Sequence, residues 1–391
     1  MSATIEPLAA GLASAPTRVA SRKLFVDNLR WSMIVLVISM HAAVTYSPFG
    51  SWYWRDNALT SRAEVVVLAT YQSFLQSFFM GLLFAVAGYF ARASLARKGA
   101  RAFIADRAFR LGLPTLLFAL VIGPVTQFYA AGSWHAGPDA SFALEWWRHI
   151  ANGEVLSNTG PLWFCVALLI FSIVYAATSV PAPSRPDSAA KAPGPLAIIL
   201  FMAAMGSATF LMRLVVPGGH AVLNMQLGDF PGYILMFIAG IHARKTGWPD
   251  RISIRAGASW GMAGLGIGLI AWFALITLGG NHGADYAGGL HWQALAKSFW
   301  EAFVGTALSL ALLTLYRDRL DGGTRLMSFL SANAFAVYVI HPPILVLITR
   351  ALHFWPEPNL VRFVVATVLG TVATFAAAAA VRTVPGVKTI L

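Results

Sequence analysis

His41 stands eleven residues after Arg30 in a stretch of mostly apolar side chains. On a helix, eleven steps return a side chain to within about 20° of the starting face and carry it about 16 Å along the axis. An imidazole in lipid is costly and is usually retained for a task; neutral, it can serve as a general base near pH 7. The plainer alternative is a buried histidine that ties two helices together. His341 is followed by Pro342 and Pro343. These prolines free backbone carbonyls one turn earlier and invite a kink, although a histidine there also suits an interfacial helix end. Glu301 is the seventh residue of another apolar span, at a depth comparable to that of His41. It can orient an imidazole as the acid of a hydrolase triad does, or simply pair with Lys297 four residues away on the same face. Arg107 and Arg110, three residues apart, form a fork suited to phosphate oxygens; their alternative role is topological anchoring.

These groups need a scaffold that lives in lipid. Of 391 residues, 58% are hydrophobic and only 11% charged, against about 25% charged in soluble domains. Apolar stretches of the length a bilayer demands fall at Leu29–Pro48, Val65–Phe90, Ala108–Ala130, Pro161–Val180 and Leu196–Val216. Five more fall at Phe230–Ile241, Gly257–Gly279, Leu295–Tyr316, Leu326–Thr349 and Asn359–Val381, the sixth being short. The expectation is an all-α, polytopic integral membrane bundle of about ten transmembrane helices. Residues 1–23 are expected to be a disordered cytoplasmic tail and 24–391 the transmembrane domain. Met1–Ser21 lacks an apolar core followed by a cleavage site, so the first span should act as an uncleaved signal.

The net charge of +12 reads as topology. Most of the basic residues fall in segments that share one side if the N-terminus is cytoplasmic, which is the positive-inside pattern and places both termini in the cytoplasm. No basic patch is interleaved with exposed aromatics, so nucleic acid is not an expected partner. The single cysteine, Cys165, excludes an internal disulfide, and no Cys/His cluster suggests a metal. Between the third and fourth spans, Ala131–Gly160 carries Trp134, Trp146 and Trp147, with Phe142–Ile150 patterned as a short helix at the membrane surface. The proline-rich stretch after Ser179 reads as a loop.

Four segments in order resemble the acyltransferase-3 family of membrane acyltransferases. They are Asp27-Asn-Leu-Arg30 followed after ten residues by His41; Phe78–Phe90 with the basic loop leading to Arg107-Ala-Phe-Arg110; Gly160-Pro-Leu-Trp-Phe164; and Ala334–Pro342, which contains His341. Phe237–Trp248 and Arg382–Val387 resemble the family's glucan-biosynthesis subgroup, in the form without an appended extracytoplasmic domain. The resemblance implies transfer of an acyl group, acetyl or succinyl, from cytoplasmic acyl-CoA to a hydroxyl of an extracytoplasmic glycan acceptor at the bacterial inner membrane, without a metal. It implies catalysis by His41 and donor binding by Arg30, Arg107 and Arg110, and its motif includes His341. Trp163, at the outer end of the fourth span, is expected to stack on a sugar ring. The competing reading is a secondary transporter or flippase for a glycan or small organic anion. Transporters of that kind usually show inverted repeats, and none is evident here.

Overall fold

The computed structural model describes residues 23–131, 141–179, 190–280 and 282–391. The tail before Lys23, Trp134 and most of the proline-rich stretch lie outside the described residues. The long helices are α1 (Leu24–Thr45), α2 (Arg62–Lys98) and α3 (Ala100–Ala130). A short amphipathic α4 (Phe142–Ala151) precedes α5 (Trp163–Thr178), α6 (Pro195–Val215) and α7 (Phe230–Thr246). The chain ends with α8 (Ile254–Gly279), α9 (Trp292–Arg319), α10 (Arg325–Leu352) and α11 (Asn359–Val381). Among the described residues, nine helices are long and apolar enough to cross a membrane: all of these except α4 and α7. The sixth expected span is the 17-residue α7, ended by Gly247 in the left-handed conformation at φ 68°, the usual stop of a helix.

Polar ties fix the two ends of the bundle. At one end Lys23 Nζ meets Asp250 at 2.9 Å, the Phe25 N–H donates to Asp321, and the Asn28 amide donates to the Leu320 and Gly322 carbonyls. The start of α1, the loop after α7 and the α9–α10 turn therefore share this end. At the opposite end Asp56 pairs with Arg362 at 3.1 Å and with His353 at 3.0 Å. Apolar side chains such as Ile199, Leu200, Met262 and Ile270 are exposed on the outer helix faces. A sheath of that kind is stable only against lipid.

Two packing features shape the interior. Gly88 of α2 sits against the backbone carbonyl of Phe237 in α7, and Gly240 of α7 against that of Ala85 in α2; a side chain at either place would collide with backbone. In α3 the helix widens into π turns at Ala108–Gly112 and Phe118–Ile122. Pro124 has no N–H for the Leu120 carbonyl one turn earlier. The Trp146 indole donates to that carbonyl at 2.7 Å and so docks α4 on α3.

Candidate active site

The proline pair in α10 decides the state of its histidine. Pro342 cannot donate to the Tyr338 carbonyl four residues earlier, and His341 Nδ1 lies 2.8 Å from that oxygen. A carbonyl only accepts, so Nδ1 carries the proton. In the neutral ring Nε2 is then a bare lone pair. His41 Nδ1 lies 3.0 Å from it and must be the donor. By elimination, the proton-free nitrogen of His41 is Nε2, the arrangement a general base requires. His341 itself is fully buried.

The loop between α1 and α2 closes over this pair. The Trp52 indole stacks on the His41 ring, centroids 3.9 Å apart and planes 12° from parallel, and Tyr53 meets Trp52 edge-on. The loop is strapped back on itself and on α11. The Asp56 N–H donates to the Thr45 carbonyl, the Thr60 hydroxyl to the Tyr46 carbonyl, and the Asn359 amide to both Asp56 and Thr60. Burial pushes the Tyr53 phenol above its ordinary pKa, so it stays protonated. Among the described residues, neither Trp52 Nε1 nor the Tyr53 hydroxyl has a hydrogen-bond partner.

His41, Trp52, Tyr53 and Trp163 line a cavity of about 660 Å³ at the end opposite Lys23. Gln76, Gln127, Asn158, Asn224, Gln226 and Asp229 supply its polar wall. Asn224 and Gln226 come from a small hairpin, Ala221–Val222 with Met225–Gln226, whose turn residues Leu223 and Asn224 both have positive φ, 53° and 61°. A leucine there is strained; the Thr159 hydroxyl holds its carbonyl at 2.8 Å. Amides beside aromatic faces suit a ligand rich in hydroxyls.

Glu301 lies elsewhere. It pairs with Arg213 at 2.8 Å and with Lys297, and Arg213 also holds Asp229 at 2.6 Å. The His41 imidazole is thus held by another histidine, while Glu301, which could have oriented it, is engaged by two cations, Lys297 among them. Glu301 lines a small chamber of about 50 Å³ that shares Gln76, Asp229 and Tyr233 with the histidine cavity.

The arginines are also dispersed. Arg30 lies 4.9 Å from the Phe90 ring centroid and 3.8 Å from Asp27. Phe90 lines a third, largely apolar cavity of about 600 Å³ at the Lys23 end, where Lys23, Lys191 and His242 also reach. Arg107 is half-buried over Phe103, whereas Arg110 is exposed and pairs with Asp106 at 3.1 Å. The π turn that begins at Ala108 widens the helix between them, so regular α spacing does not describe this fork. Neither lines any of the three cavities. Sequence reasoning missed Trp52, Tyr53 and Asp229; the aromatic run Trp52-Tyr53-Trp54 directly after the first span was the available signal for two of them.

A multi-helix bundle sheathed in apolar side chains, with an imidazole pair inside, is a multi-pass membrane protein built for chemistry. The chain belongs to the acyltransferase-3 family, matching its acyltransferase domain over residues 23–381. It is also similar to the glucans biosynthesis protein C of Escherichia coli strains K12 and HS, 27% identical over 162 residues in each case. That stretch is 39% of this chain and 38% of each relative, so well under half of either is covered. No solved structure matches the chain.

Proposed function

We propose that this protein is an O-acyltransferase that moves an acetyl or succinyl group from cytoplasmic acyl-CoA to a hydroxyl of an extracytoplasmic carbohydrate, a glucan being the leading candidate. The observation that carries this reading is the free Nε2 of His41, fixed by the His41–His341–Tyr338 chain of hydrogen bonds in a cavity walled by amides and aromatics. The acceptor hydroxyl attacks the thioester carbonyl while its proton passes to His41 Nε2. The tetrahedral intermediate then expels the thiolate, which takes the proton from His41, leaving an ester and free CoA thiol. The unpartnered Trp52 N–H and Tyr53 O–H are suited to steady the developing oxyanion. His341 shares the charge that His41 acquires, and Trp163 stacks on the sugar. Glu301 holds Arg213 and Lys297 in place at the rear of the site.

In this reading the chain crosses the bacterial inner membrane ten times, with both termini cytoplasmic and residues 24–391 acting as one unit. The Lys23–Asp250 tie supports the count: only if α7 crosses does the chain return after six crossings to the end where it began. The basic end then faces acyl-CoA, with Arg30, Arg107 and Arg110 available to its phosphates. The test is purified protein in nanodiscs, given acyl-CoA and a linear glucan. Acceptor-dependent thiol release and an ester-sized mass gain on the glucan are expected, both lost in a folded His41→Ala variant. Normal turnover by that variant would remove His41 from the chemistry.

A further inference from the structure

The three cavities form a series. The apolar cavity at the basic end shares Met236 with the small middle chamber, and that chamber shares Gln76, Asp229 and Tyr233 with the histidine cavity. Along α2 the series runs from Tyr89 to Gln76, thirteen residues or about 20 Å. Its volumes are about 600, 50 and 660 Å³. Gly81, Gly232 and Gly305 are among the residues that line the middle chamber; the Met236 side chain packs on Gly81 at its basic-side end. At its far end the Gln76 amide donates to the Tyr233 hydroxyl at 3.2 Å. Its walls include Asp229 and Glu301, held by Arg213 and Lys297.

We propose that the donor's thioester arm reaches His41 through this series of cavities, and that the middle chamber limits the transferable acyl group to a short one. The inference rests on the acyltransferase reading above. About 50 Å³ holds a few water molecules or an acetyl-sized group. A long hydrocarbon chain is accommodated in the apolar cavity but exceeds the space of the middle chamber, where it would also crowd the ion pairs of Asp229 and Glu301 and the Gln76 amide. Met236 is therefore the specificity-determining side chain. The Gln76–Tyr233 hydrogen bond is the contact that must part as the arm advances.

The test uses full-length protein in nanodiscs with a linear glucan and acetyl-, butyryl- and octanoyl-CoA. Wild type should prefer acetyl-CoA, and Met236→Ala should raise the octanoyl-to-acetyl ratio of kcat/KM about tenfold or more. An unchanged ratio would overturn the size limit. Separately, Gly232→Cys in a Cys165→Ala background is treated with N-ethylmaleimide, and each sample is compared with itself before labelling. Complete labelling should cut transfer at least tenfold without lowering the melting temperature. Full activity after labelling, verified by intact mass, would overturn the route while leaving the acyltransferase reading intact. A wild type that transfers from none of these three donors, nor from succinyl-CoA, would overturn that reading, and the route with it.

Discussion

His341 holds His41 by a single hydrogen bond of 3.0 Å, and does so with the one nitrogen that a backbone carbonyl has left without a proton. The pair joins residues 300 positions apart in the chain and two different helices, α1 and α10. It fixes the tautomer of His41 without any carboxylate. If His41 is the base, His341 is a positioning residue whose value lies in the rate and not in substrate affinity.

His341→Ala should therefore lower kcat by roughly 10²- to 10³-fold, within the usual range for general base catalysis, and leave both KM values near those of wild type. His341→Gln, whose side-chain oxygen can accept from His41 Nδ1, should recover part of the loss. Steady-state kinetics with acyl-CoA and glucan decide the matter. A matching drop in melting temperature for both variants, with equal kcat losses, would reduce His341 to a packing residue.

Pro342→Ala restores an N–H to the helix, which then competes with His341 Nδ1 for the Tyr338 carbonyl. One hydrogen bond of about 1 kcal/mol corresponds to roughly a fivefold fall in kcat. Stability should hold or rise, because a proline inside a helix is unfavourable. Loss of rate together with gain of melting temperature is the expected signature.

Arg213 is 2% exposed and bridges Asp229 and Glu301, with Lys297 balancing the remaining charge. Arg213→Met leaves two partly buried carboxylates with Lys297 as the remaining cation of the cluster, a change of up to about 3 kcal/mol, the low end for a buried pair. The melting temperature in detergent should fall markedly. Adding Asp229→Asn and Glu301→Gln to the same chain should return part of it. A surface pair would show neither effect.

Donor affinity separates the arginines. Arg30 lies against Phe90, which lines the basic-end cavity, whereas Arg110 is exposed and paired with Asp106 away from it. Arg30→Ala should raise the acyl-CoA KM about tenfold, the scale of one charge-assisted hydrogen bond; Arg110→Ala should raise it less. Equal effects would mean that the donor phosphates extend along α3.

The helices were legible because lipid imposes a simple rule on any chain that crosses it, and runs such as Asn359–Val381 obey it directly. His41 and His341 were legible one at a time, as imidazoles in apolar runs, and Pro342 announced a freed carbonyl. That they touch was not legible, since helical periodicity relates neighbours a turn apart and not residues 300 positions apart. Glu301 shows the same boundary: its partner at four residues, Lys297, follows from the sequence, but Arg213 from another helix does not. The Arg107–Arg110 spacing gave no sign of the widened turn between them, because π turns carry no periodic mark. The loop that brings Trp52 over His41 has no repeat at all, and it is fixed by contacts to Thr45, Thr60 and Asn359.

The glycine contacts between α2 and α7 also govern movement. With Gly88 and Gly240 each seated on the other helix's carbonyl, neither rod can slide or roll without driving one main chain into the other. That flank of the interior is a fixed jamb. Any backbone shift that admits a thioester must come from the facing side, where Met205 and Thr209 of α6 also present side chains that can change rotamer. The enzyme's door, in other words, is hung on one side only.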